Sequence, residues 1–241
     1  METRTALVTG AAQGLGQEFA VALAGRGYRV AGLDLVPQPR TAERVLDYVE
    51  LIADVTDEAQ VDAALERVLE QFGTLHVLVN NAGVYPESPF EDTTPDEWRR
   101  VMRVNLEAPF LMTRAVLPHL KAAGWGRIVN IASAAVLTAP PTMVAYTASK
   151  AGLIGFTRAL ASALGPYDIT VNAIAPSMVR TATAERTVGA GGGFEHVRAQ
   201  QAVPRTQEPS DLVSTLLYVV DEGSGFLTGQ MLNVAGGSAY L

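Results

Sequence analysis

Thr9-Gly10-Ala11-Ala12-Gln13-Gly14-Leu15-Gly16 decides the fold: it lies between the apolar run Ala6–Thr9 and an amphipathic segment that opens Gln17-Glu18-Phe19-Ala20. Glycines let a backbone turn sharply and come close to a phosphate group. The N-terminus of the helix that follows would offer free N–H groups and a partial positive charge to such an anion. A glycine cluster alone is a weak signal; this one gains weight from its strand-to-helix context.

Outward from this turn, short Val/Ile/Leu-rich runs alternate with longer helical patterns, as in a parallel sheet covered on both faces. Strands are expected near Ala6–Thr9, Tyr28–Asp34, Val49–Ala53, Val77–Asn80, Arg127–Ser133, Thr170–Ala175 and Met231–Val234. Between the third and fourth, Val61, Ala64, Leu65, Val68, Leu69 and Phe72 recur at three- and four-residue steps, which predicts a helix over Asp57–Phe72. The pattern is α/β: a doubly wound Rossmann fold with a seven-stranded parallel sheet flanked by helices, expected as a single domain over residues 1–241. One segment, 182–204, fits no strand pattern and contains Gly189-Ala190-Gly191-Gly192-Gly193; its place after the sixth strand marks it as a candidate substrate lid.

Composition narrows the function. The 241 residues are 48% hydrophobic and 18% charged, enough apolar surface to offset the entropy of ordering. The net charge of −7, without a Lys/Arg run, argues against nucleic acid as a partner. No cysteine is present, which removes disulfides, thiolate catalysis and Cys-ligated zinc. His76, His119 and His196 lack ligand spacing, so no metal is expected. The run before Gly10 is too short for a signal-peptide core, and no stretch reaches the ~18 apolar residues of a membrane span. A cytoplasmic protein is expected.

The second strand ends Gly32-Leu33-Asp34, with Asp34 twenty positions after Gly14 (34 − 14). An acidic residue there can accept hydrogen bonds from an adenosine ribose and repel a 2′-phosphate. Gln13 and Leu35 supply no cation that a 2′-phosphate would need, so NAD is the expected cofactor rather than NADP.

The spacing Gly10-x-x-x-Gly14-x-Gly16 differs by one residue from the usual dinucleotide fingerprint, and in that form it resembles the short-chain dehydrogenase/reductase family. Asn80-Asn81-Ala82-Gly83, Asn105, Ser133 at the end of the fifth strand, and Tyr146-x-x-x-Lys150 follow in the family's order and spacing, over essentially the whole chain. The loops Tyr85-Pro86, Gly124-Trp125-Gly126-Arg127 and 173–183 look like those of bacterial phenylethanol dehydrogenase and similar NAD-linked alcohol dehydrogenases. The resemblance implies a catalytic set of Asn105, Ser133, Tyr146 and Lys150. It implies NAD contacts from Gly10, Gln13, Gly14, Leu15, Gly16, Asp34, Asp54, Val55, Asn81, Ala82, Gly83, Tyr146, Lys150, Pro176, Val179 and Thr181. It also implies a homotetramer paired through the helices Val101–Leu120 and Tyr146–Leu164, where Ala151, Gly155, Ala159 and Ala163 allow close approach. Departures from the family are Ser177 where glycine is usual, expected to alter the backbone near the nicotinamide amide, together with His76 and Ala235 in place of aspartates.

Tyr146 and Lys150 are four apart on one expected helix and so share a face. A free tyrosine titrates near pH ~10, and an adjacent ammonium is expected to lower that value and make the phenol a proton donor and acceptor. Ser133 would donate a hydrogen bond to the substrate oxygen, and Asn105 would, by resemblance, hold a water in a proton path from Lys150. Tyr85, Ala135, Val136, Met143, Met178 and Phe194 are candidate pocket residues, mostly apolar, which suits an aryl or alkyl ketone and its secondary alcohol. The alternatives are a 3-oxoacyl-carrier-protein reductase, expected to use NADPH, a sugar or polyol dehydrogenase, and a nucleotide-binding regulator without catalysis.

Overall fold

A computed structural model describes residues 3–187 and 192–240. Seven strands, β1 Thr5–Thr9, β2 Arg29–Asp34, β3 Val49–Ile52, β4 Val77–Asn80, β5 Gly126–Ile131, β6 Ile169–Pro176 and β7 Met231–Val234, form one sheet in the order β3-β2-β1-β4-β5-β6-β7. Every neighbouring pair is parallel. The sheet is the expected Rossmann-like one. β5 is shorter than its apolar run suggests: pairing ends at Ile131, and Ser133 lies beyond the strand where the chain turns into the short helix α6, Ala135–Thr138.

Alternation along the strands builds two cores. Leu7, Leu33, Leu78, Ile128 and Val171 face one side, covered by α3 Glu58–Phe72 and α5 Ala108–Ala123. Ala6, Val8, Val30, Val79 and Val129 face the other, covered by α1 Gly14–Gly25 and α10 Ser210–Val220. Burying a Val, Leu or Phe side chain is worth about 1.5–3 kcal/mol, so these layers supply most of the drive to fold. The ends are set locally: the Asp57 side chain accepts from Gln60 N to cap α3, which stops at Gly73 with φ 79°.

Between β4 and β5 the chain runs through α4 Pro95–Met102, a π-helical turn Arg103–Glu107, and α5 without a break. The long helix α7 Val144–Leu164 leads to β6. Segment 182–204 holds two short helices that the strand-based reading did not anticipate, α8 Ala182–Thr187 and α9 Gly193–Ala199. Of the glycine run between them, Gly189, Ala190 and Gly191 lie outside the described residues. Another short helix, α2 Pro39–Ala42, follows β2. Among the described residues, no helix is long and apolar enough to cross a membrane.

Candidate active site

β1 and β4 are neighbours from which the chain departs in opposite directions, and a crevice opens there beyond the carboxyl ends of the strands. It is a cavity of about 920 Å³, running from Asp34 and Leu35 at one end to Met143, Val197 and Gln200 at the other. Gly10, Gln13, Gly14, Leu15, Asp34, Asp54, Val55, Asn81, Ala82, Gly83, Lys150, Pro176, Val179 and Thr181 all line it.

At the glycine end, Gly10 (φ 66°) and Gly14 (φ 61°) adopt the left-handed conformation that a side chain disfavours. Gly16, also expected to contact the cofactor, does not line the cavity. It is packed beneath the loop, where a Cβ would stand 2.1 Å from the Gly10 carbonyl oxygen, so its role is the close seating of α1. The side chain of Asn81 donates to the carbonyls of Thr9 (2.9 Å) and Gly10 (3.2 Å), and the Thr9 hydroxyl accepts from Asn81 N and Ala82 N. Thr9 thus ties the two loops together, a role for which the sequence offers no signal beyond a strand-end threonine. The Asp34 carboxylate accepts from Ala12 N at 2.9 Å and is held against the loop. A Cβ-free cradle at a helix N-terminus with a carboxylate at its far end fits a dinucleotide.

In the middle of the cavity, Tyr146, Ser133 and Lys150 converge. The Lys150 ammonium donates to the Ile131 carbonyl at 2.7 Å and sits 5.8 Å from the centre of the Tyr146 ring. Burial drives Lys150 down to about 8. Tyr146 departs from the expected direction: burial pushes its phenol above the ordinary value, opposed by a hydrogen bond from the Ser133 hydroxyl. Desolvation is the largest cause, and the neighbouring Tyr85 adds to it. The Ser133 oxygen accepts from Ala135 N at 3.1 Å.

Asn105 is fully buried on the π-helical turn and does not line the cavity. Its Nδ2 donates to the Val84 carbonyl (2.8 Å) and Ser149 Oγ (3.1 Å), and its Oδ1 accepts from Val84 N (2.9 Å). With both side-chain hydrogens used, it serves first as a clamp on the loop that carries Gly83 and Tyr85.

At the far end, Tyr85, Ala135, Met143 and Met178 line the cavity, whereas Val136 and Phe194 do not. Val136 packs against Ala132, Ile154 and their neighbours, and Phe194 turns inward under the Arg180 guanidinium. Thr138, Pro140, Val197, Gln200 and Ser238 also line this end. They come from loops and short helices far apart in sequence, where no periodicity could reveal them. Ser177 does not take a left-handed backbone. Its N–H donates to Gln207 Oε1 (2.9 Å) and its hydroxyl accepts from Gln201 Nε2 (3.4 Å).

A doubly wound sheet with a hydroxyl-bearing cavity at its switch point is a common plan for enzymes that use dinucleotides. This chain belongs to the short-chain dehydrogenase family, whose model, described as short chain dehydrogenase, matches residues 4–189. It is therefore an oxidoreductase acting on CH–OH groups. It is 38% identical to a trans-4-hydroxycyclohexanecarboxylate dehydrogenase of Sinomonas cyclohexanicum, over 97% of this chain and 92% of that protein. It is 36% identical to a hydroxy(phenyl)methylsuccinyl-CoA dehydrogenase subunit of Thauera aromatica, over 98% of this chain and 97% of that one. The crystal structure of a 3-ketoacyl-(acyl-carrier-protein) reductase from Brucella melitensis complexed with NADH superposes with a TM-score of 0.94 at 32% identity, covering 99% of each chain.

Proposed function

We propose that this protein is an NAD-dependent dehydrogenase/reductase that interconverts a secondary alcohol and a ketone, with Tyr146 exchanging the proton. The observation that carries the reading is the convergence of Tyr146, Ser133 and Lys150 on one cavity wall, with the Lys150 ammonium 5.8 Å from the centre of the Tyr146 ring. The cofactor would be held by the glycine loop, Asp34, Asp54, Val55 and the Asn81–Gly83 turn. When bound, the oxidised nicotinamide supplies the hydride acceptor and a positive charge. Ser133 holds the substrate oxygen, and Tyr146 takes the hydroxyl proton as the carbinol hydride departs. Lys150 holds positive charge behind the phenol and favours its ionised form. Reduction of the ketone is the reverse, with Tyr146 as the acid. Asn105 acts by holding Val84 and, with Ser149, the helix that carries Tyr146.

Helices α8 and α9 contribute Thr183, Ala184 and Val197 to the cavity wall, which supports a lid over 182–204 on a single catalytic domain. The protein is proposed to be cytoplasmic and homotetrameric, with a small alcohol or ketone as its partner and no nucleic acid or membrane.

A second reading, a 3-oxoacyl-carrier-protein reductase, draws support from the Brucella neighbour. Because that reductase was crystallised with NADH, an NAD preference from Asp34 does not by itself exclude the class. Parallel titration with NAD and NADP, followed by turnover of secondary alcohols and of 3-oxoacyl thioesters, tests both readings. We expect NAD to bind more tightly and an alcohol to be oxidised. Tyr146→Phe should lose turnover by at least about 10²-fold while still binding NAD. Preference for NADP would overturn the role of Asp34, and undiminished turnover in Tyr146→Phe would overturn that of the phenol.

A further inference from the structure

Gln38 carries no charge, lies outside every motif in the chain, and is nevertheless completely buried. Its Nε2 donates to the carbonyls of Gly32 (3.1 Å) and Leu51 (3.0 Å), and so bridges β2 to the edge strand β3 just before Asp34. Its Oε1 accepts from the Tyr48 hydroxyl, and its own N–H donates to Glu50 Oε2 at 2.6 Å. Every polar atom of the amide group is engaged. Burial and the nearby Glu50 and Asp34 carboxylates push the Tyr48 phenol up, so it stays protonated as a donor.

The space for this network exists because residue 32 is glycine: a Cβ there would stand 1.6 Å from the Tyr48 hydroxyl and 2.5 Å from Gln38 Oε1. Three residues further on, Thr41, also fully buried, donates to the Ala11 carbonyl (2.7 Å) and accepts from Gln17 Nε2 (3.0 Å). Ala12 N then donates to Asp34. Segment 38–41 therefore clamps both supports of the Asp34 carboxylate, the strand end behind it and the glycine loop in front.

We infer that Gln38 is a positioning residue for cofactor selection: through Gly32, Leu51 and Tyr48 it sets where the Asp34 carboxylate stands, and hence the discrimination between a ribose 2′-hydroxyl and a 2′-phosphate. The inference rests on the proposed NAD reading of Asp34. A buried donor that loses its acceptor is costly, so the strand end relaxes when the amide is removed. Asp34 then holds the ribose less well and repels the phosphate less.

The test is calorimetric titration of wild type, Gln38→Met and Tyr48→Phe with NAD, NADP, ADP-ribose and nicotinamide mononucleotide, with the thermal midpoint of each. Gln38→Met is expected to weaken NAD and ADP-ribose about tenfold, to leave nicotinamide mononucleotide unchanged, and to narrow the NAD-to-NADP preference. Tyr48→Phe, which keeps the packing, is expected to shift the same ratio less, and it carries the test alone if Gln38→Met does not fold. A lowered midpoint with an unchanged NAD-to-NADP ratio in the folded variants would overturn the inference, because Gln38 would then only hold the sheet together. A wild type that prefers NADP would overturn the reading of Asp34 first, and the inference with it.

Discussion

At the scale of single residues, the site depends on side chains that lost water. Lys150 illustrates this: burial lowers it to about 8, whereas a lysine in the unfolded chain titrates near ~10.4. Between these values the unfolded chain binds more protons than the folded one, so stability rises with pH across that window as the cost of a buried charge is relieved. We expect denaturant unfolding to show wild type gaining roughly 2 kcal/mol from pH 7.5 to 10 relative to Lys150→Met, since each shifted unit is worth about 1.4 kcal/mol. Parallel curves for the two proteins would show that the ammonium is solvated. Above pH ~10 Tyr146 acts oppositely: its raised value means that the folded state keeps a proton that the unfolded chain releases.

At the scale of elements, the junction of β1, the glycine loop and α1 is the tightest part of the nucleotide end. Gly16 has the Gly10 carbonyl where a methyl group would stand, so Gly16→Ala should overpack the junction at a cost of about 1–3 kcal/mol. The loop would be displaced, and NAD affinity should fall along with the thermal midpoint. A stability loss with unchanged affinity would separate the seating of α1 from the shape of the cradle. The π-helical turn is the other element with a visible task. It places Asn105 so that both of its amide hydrogens and its carbonyl are used, two of these bonds clamping Val84. Replacing it with alanine should strand the Val84 N–H and C=O and destabilise the protein by about 1–3 kcal/mol, measured by thermal unfolding.

At the scale of the whole molecule, α4, the π-helical turn, α5 and α7 leave an apolar groove of about 570 Å³ lined by Trp98, Met102, Leu106, Phe110 and Phe156. Trp98 and Phe110 are exposed there, and so are Ala151, Gly155, Ala159 and Ala163 along α7. An exposed apolar surface of this kind suits a subunit contact. The proposed tetramer predicts that Phe110→Glu converts it to a smaller species in light scattering at micromolar concentration. A monomeric wild type would sink the assembly.

The run of residues already dictates much of this molecule. Short apolar runs such as Ala6–Thr9 and Val77–Asn80, the three- and four-residue recurrence over Asp57–Phe72, and glycines between strand and helix are local patterns, and local patterns set secondary structure and the alternation of strand and helix along the chain. The four-residue step of Tyr146 and Lys150 gave their shared helix face, and the resemblance of the surrounding motifs to the short-chain dehydrogenase/reductase family gave their role. What lay beyond reach depends on distant segments meeting. Phe194 turns away from the cavity while Gln200 and Ser238 line it, because loop packing has no period. Tyr146 is raised rather than lowered because desolvation depends on what surrounds the ring. Gln38 gains its importance only when β2, β3 and Tyr48 close around it, since a side chain's hydrogen-bond partners are chosen by tertiary packing and not by its neighbours along the chain.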